Sequence, residues 1–140
     1  QLEMMWTEKQ EIYINDIKDE CIKNSIKHYN RYNFYMYTYN ILSIPMITIP
    51  LLLSGLDKYI ESDYIKTCLL CFVGILNSIL TFSNLGQRFE KHLECRNKYI
   101  EFSTGIEIEI IKPKKYRESV EVYLEKIKYK LVQLNENSPK

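Results

Sequence analysis

The sequence lacks any marked excess of one charge: 19 Lys and Arg stand against 18 Asp and Glu, a formal net of +1 over 140 residues. Domains that grip DNA or RNA carry a clustered basic excess, because phosphate contacts supply most of their affinity. Nucleic acid is therefore excluded as a partner. A run of tyrosines could stack single-stranded bases, but only beside a basic groove, and none is present. Also missing are a glycine-rich phosphate loop, a nucleophile elbow and a carboxylate pair embedded in either long apolar stretch, the patterns that announce nucleotide chemistry, acyl transfer or acid–base catalysis. The chain reads as a non-enzyme with no cofactor, no metal and no small-molecule substrate.

Cysteine is scarce, and its spacing misleads. Cys68 and Cys71 have the two-residue gap of zinc and redox motifs, but they lie in apolar sequence with no second pair of ligands, where a thiol is raised in pKa and inert. They read as small packing residues. His28 and His92, with Cys95 three residues further on, lack a fourth ligand and a ligand-like spacing. Interfacial histidines that make hydrogen bonds are the simpler reading.

The most informative absence is local. Residues 34–56 and 67–87, 23 and 21 residues, contain no Asp, Glu, Lys or Arg. About 20 helical residues cross the ~30 Å hydrocarbon core of a bilayer, so each stretch is long enough to span one. The mean hydropathy of −0.29 conceals this, since the other 96 residues carry every charge. A soluble bundle would need those residues to wrap two helices that are apolar nearly all round. The expected fold is an all-α membrane protein, a two-span transmembrane hairpin with amphipathic helical arms at both ends. Its parts are an N-terminal arm (1–33), a first span (34–56), a short loop (57–66), a second span (67–87) and a C-terminal arm (88–140). Neither span resembles a cleaved signal, because charged helix-like sequence precedes the first and no small-residue cleavage pattern follows it.

Orientation follows from the bases near the span ends. Lys23, Lys27, Arg31, Arg88, Lys91, Arg96 and Lys98 flank the terminal side, against Lys58 and Lys66 in the loop, which places both termini in the cytoplasm by the positive-inside bias. Tyr29, Tyr32, Tyr35, Tyr37 and Tyr39 crowd the entrance of the first span, as interfacial anchors do. Within that span Pro45 and Pro50 remove backbone donors, so the helix is expected to be kinked or locally broken there. In the second, Thr67, Cys71, Gly74, Ser78 and Thr81 recur at helical spacing with Asn77 beside them, a small-residue packing seam of the kind that lets helices approach closely. It can pack on the first span, pack on another subunit, or line a water-filled pore.

The arms carry helical signals. Thr7 and Gln10 have capping-box spacing, and Ile14, Ile17, Cys21, Ser25, His28 and Tyr32 then follow one face, so one helix from about Glu8 into the first span is expected. Phe89, Leu93 and Ile100 continue a face after the second span. Residues 106–111 alternate apolar and acidic as a strand would, but a lone strand has no partner, and helix is the expectation. Pro113 breaks the chain. Val120, Leu124, Ile127, Leu131 and Leu134 then form a two-heptad seam, too short for an independent coiled coil. It must dock on the N-terminal arm, a neighbouring subunit or another protein.

Trp6 ahead of the first helix, His28-Tyr29-x-x-Tyr32, Ile44-Pro45, the Ser54-Gly55 exit, Gly74 in the second span, Tyr129-x-Leu131 and Asn137-Ser138-Pro139 together resemble the two-transmembrane proteins of nucleo-cytoplasmic large DNA viruses. Those are in turn similar to the SLATT class of two-transmembrane domains. The resemblance runs from about Trp6 to Pro139 and implies a component contacting capsid or other membrane proteins, within the virion inner membrane or a host-derived membrane; a homo-oligomer is the expectation that the Val120–Leu134 seam adds. It also implies a second role, an oligomeric pore-forming effector. The structural role is favoured, because the second-span face offers only small neutral groups and no charged ring of the kind that selects ions.

Overall fold

The computed structural model describes residues 6–139; the first five residues of the N-terminal arm and Lys140 of the C-terminal arm lie outside the described residues. Helix α1 runs Glu8–Gly55, α2 Asp63–Ser83, α3 Leu85–Ile111 and α4 Val120–Asn137, with a short 3-10 turn at Lys114–Tyr116. Among the described residues there is no strand. The segment 106–111 is helical within α3. Its alternation is overridden by tertiary packing, which buries Phe102, Ile106 and Glu109, residues three and four apart on one helical face.

Local chemistry sets the helix ends. Thr7 and Gln10 form a reciprocal capping box: the Gln10 amide donates to Thr7 Oγ1 at 3.3 Å and the Thr7 amide to Gln10 Oε1 at 2.8 Å. Glu8 and Glu11 in the first turn complement the helix dipole. The helical backbone continues through Pro45 and Pro50 to Gly55, so neither proline breaks it. Ser62 caps α2 by accepting from the Ile65 amide at 3.4 Å. Asn84 separates α2 from α3 in the left-handed conformation, with φ 50°, which Asn tolerates better than most residues. Leu85, Gly86 and Gln87 of the expected second span therefore belong to α3.

The chain forms two compact units, one built from residues up to Arg31 and from Lys91 onward, the other from Tyr32–Glu90. The first, the arm unit, is a three-helix arrangement. Ile14, Ile17 and Cys21 of α1 meet Cys95, Tyr99, Phe102 and Ile106 of α3 and Val120 and Ile127 of α4, with Trp6 closing the core. Leu124, Leu131 and Leu134 pack against the same cluster. The docking seam of α4 is thus used within the chain.

One end of this unit is tied by Arg117. Its side chain, 8% exposed, donates from Nε to Lys112 O at 2.8 Å, from Nη2 to Ile110 O, and from Nη1 to Glu11 Oε1 at 2.6 Å. The guanidinium therefore satisfies carbonyls at and just past the end of α3 that have no helical partner while pairing with the first turn of α1. It also sits over the Trp6 ring, 4.9 Å from the centroid, and Trp6 Nε1 donates to Glu118 O at 2.9 Å. Beside it, burial opposes ionisation of Glu109, but the Glu118 amide, Lys112 and Arg117 together hold its carboxyl below the ordinary carboxylate range.

The second unit contains the two apolar segments. Leu42, Met46, Ile49 and Leu53 on α1 and Leu69, Val73, Leu76 and Leu80 on α2 are its less exposed positions, each set spaced four, three, four. Phe89 makes edge contacts with Tyr32 and Tyr39 at 5.9 and 5.7 Å.

Replacing Ile14, which is fully buried, by Ala is expected to lower arm-unit stability by about 2–5 kcal/mol in denaturant unfolding. Ile12→Ala, at a 53% exposed position, is expected to shift it by no more than about 0.5 kcal/mol.

Candidate functional site

Two places in the chain have features that stability alone does not require. The first is the surface of the Tyr32–Glu90 unit. Twelve Ile, Leu and Phe side chains in the two charge-free stretches are exposed, among them Ile44, Leu51, Ile75 and Phe82. The most apolar 18-residue windows are 0% and 6% buried. The chain therefore has two helices long and apolar enough to cross a membrane, and they are not the covered core of this chain's own bundle.

The small-residue seam lies on this surface. Thr67, Cys71, Gly74, Asn77, Ser78 and Thr81 are all exposed, whereas the covered face of α2 is the Leu69–Val73–Leu76–Leu80 side. Ser78 donates to Gly74 O at 2.9 Å and Thr81 to Asn77 O at 2.8 Å, so these hydroxyls are satisfied within their own helix. A side chain added at Gly74 would meet nothing within 4 Å. Of the three destinations open to this face, packing on the first span of the same chain is not the one used. Among the expected anchors Tyr29, Tyr37 and Tyr39 are exposed and Tyr32 and Tyr35 half-buried, with Arg96 over the Tyr29 ring at 4.9 Å.

The second place is inside the arm unit, where His28 of α1 and His92 of α3 are both buried and lie with Nδ1 atoms 2.9 Å apart. His28 stacks on Tyr99 at 5.8 Å and 13° between planes. Tyr99 donates its hydroxyl to Asn135 Oδ1 at 2.6 Å and lies 3.0 Å from Ser138 Oγ, and Cys95 Sγ is 3.2 Å from the same Ser138 oxygen. Sequence reasoning read both histidines as hydrogen-bonding but did not pair them. A signal was available: His28 lies six residues before the first charge-free stretch and His92 five after the second, which puts them at matching levels of an antiparallel hairpin.

The pair responds to protons in a defined way. An Nδ1–Nδ1 bond needs one ring to donate and the other to accept, so two neutral rings adopt opposite tautomers. One added proton preserves the bond and a second destroys it. Burial, the neighbouring His92, Arg31 and Lys27 all push the pKa of His28 down, and burial and Arg31 do the same for His92. The thiols beside them are inert: burial pushes Cys21 up to about 11 and raises Cys95 as well, far from thiolate chemistry near neutral pH. Among the described residues no three His, Cys, Asp or Glu side chains are grouped to hold a metal ion.

These features define a class, a helical chain with one packed polar unit and two exposed apolar helices of membrane-spanning length. No family model, curated protein or solved structure matches the chain.

Because the folded histidines take protons less readily than free side chains, the unfolded chain binds more protons at acidic pH. Arm-unit stability is expected to be fully present above the ordinary histidine value of 6.5 and to decline as pH falls from there toward the lowered folded values. Near-UV circular dichroism melts between about pH 7.5 and 5.5 would show this decline, and His28→Asn would flatten it.

Proposed function

We propose that this chain is an integral membrane protein whose two apolar helices form a transmembrane hairpin and whose arm unit stands on the cytoplasmic side as a docking platform for other proteins. The observation that carries this reading is that almost no residue of either apolar window is buried. Each large apolar side chain moved from water into an apolar phase contributes about 1.5–3 kcal/mol, and a bilayer supplies that phase along both charge-free stretches. The orientation rests on seven flanking bases against two in the loop, of which Lys66 is paired with Asp57 at 2.5 Å.

Within that class, the role that the resemblance supports is structural, a component of a virion inner membrane contacting the capsid shell. Its alternative is an oligomeric pore. The exposed seam of Thr67, Gly74, Asn77, Ser78 and Thr81 favours contact with further copies, and a pore would place those neutral polar groups on its lining. Engagement of Ser78 and Thr81 with the carbonyls of Gly74 and Asn77 one turn earlier weakens the pore and suits close helix packing.

One reconstitution tests both. In proteoliposomes with the arms outside, a Ser62→Cys thiol is expected to resist an impermeant maleimide until the vesicles are opened, and a trapped dye is expected to stay inside. Labelling of the intact vesicles would overturn the transmembrane hairpin. Dye release that Ser78→Leu abolishes would replace the structural reading with the pore.

A further inference from the structure

His28 of the buried histidine pair lines a groove that neither the fold nor the hairpin requires. This groove of the arm unit, about 520 Å³, has Lys27 and Arg31 of α1 on one side, Asn135 and Glu136 of α4 on the other, and His28 and Tyr99 at its base. Lys27 and Arg31 stand one helical turn apart and are exposed. Among the described residues the carboxylate ion pairs are made by Lys66, Lys98, Lys112, Lys114, Arg117 and Lys126, so these two cations are uncompensated. Asn135 contributes as well: its Oδ1 accepts from Tyr99, which fixes the amide and leaves its two N–H donors without a partner among the described residues. An ammonium, a five-donor guanidinium fork and an amide fixed by its bond to Tyr99 therefore line one opening.

The ligand that fits this donor set has several acceptor oxygens and more than one negative charge. A carboxylate offers two oxygens and one charge, whereas a phosphate group offers three oxygens and about −1.5 to −2 near neutral pH. We propose that the groove binds a phosphate group, held by Lys27, Arg31 and Asn135, and that its occupancy is coupled to protonation of the His28–His92 pair. The coupling follows from charge. The cations that oppose an imidazolium would be neutralised by the bound anion, so phosphate favours the protonated pair and protonation tightens phosphate, by the same factor in each direction.

Other charged or titratable groups in the neighbourhood do not reverse this sign. Tyr99, which stacks on His28, and the core thiols Cys21 and Cys95 stay protonated because burial raises all three. Glu136 on α4 is the one acid lining the groove; it opposes an anion, and its removal should tighten binding. The phosphate can be free in solution or part of a lipid headgroup. Arg31 lies three residues before the first charge-free stretch, so both sources are tested. The site itself does not depend on the membrane reading, since every residue that lines it belongs to the arm unit.

The experiment is a ring-resonance NMR titration of His28 and His92 in the full chain, in an uncharged detergent, with inorganic phosphate against chloride at equal ionic strength. Phosphate is expected to shift groove resonances saturably and to raise the proton affinity of the pair about threefold. Lys27→Gln with Arg31→Gln should weaken binding by about tenfold or more, Glu136→Gln should strengthen it, and Lys23→Gln, one turn away, should leave it unchanged. A parallel arm measures the same resonances with vesicles of phosphatidylcholine alone or with phosphatidic acid. Saturation by inorganic phosphate supports a solution ligand, and saturation only by phosphatidic acid supports a headgroup. An equal response to chloride, no saturable response to either phosphate, or unchanged binding by the double variant would overturn the proposal.

Discussion

Uncovered apolar surface on two charge-free helices is the constraint that the rest of the chain has to meet. Twelve exposed Ile, Leu and Phe side chains, at even 1 kcal/mol each for partial exposure, amount to on the order of 10 kcal/mol, as large as the whole net stability of an ordinary domain. Among the described residues nothing covers them, and on the proposed reading an apolar surrounding does. A bilayer satisfies that demand without a specific partner and explains why no charged residue interrupts either stretch: one at the hydrocarbon centre would cost about 2.5–3.5 kcal/mol on insertion scales.

If the bilayer takes the apolar segments as proposed, the remainder of the chain must fold by its own resources, and the arm unit shows how. Three short apolar faces, from α1, α3 and α4, are each too narrow to hold a helix alone and bury one another around Tyr99, Ile14 and Ile106. Arg117 closes one end by capping α3, pairing with Glu11 and stacking on Trp6. At the other end the His28–His92 bond joins α1 to α3. These two ends differ in kind. A guanidinium stays charged at any relevant pH, whereas the imidazole pair changes with protonation, so the arm unit has one permanent tie and one conditional tie.

The parts of this architecture that a sequence shows are those set by local rules. Thr7 and Gln10 cap α1 as their spacing implies, and the face from Ile14 to His28 is buried as its period implies. The Val120–Leu134 seam was recognisable as apolar, but three partners were open to it, because periodicity names a face and not what covers it; the chain's own core takes it, which removes the reason that seam gave for expecting a homo-oligomer. The same limit applies to Thr67–Thr81, where small residues marked a face that turns out to be exposed. Arg117 was invisible for a different reason. Its partners Glu11, Ile110 and Lys112 are brought together only by tertiary structure, and a lone arginine after a proline carries no periodic signal. Asn84, likewise, gave no warning that a single left-handed residue would divide the second span from α3.

The most direct test of the bilayer as the missing cover is alkaline carbonate extraction of membranes from cells expressing the full chain. The proposed hairpin predicts that the protein stays in the membrane pellet at about pH 11, where peripheral contacts held by charge are stripped, and enters solution only with detergent. Quantitative release into the carbonate supernatant, as a monodisperse species that needs no detergent, would contradict it.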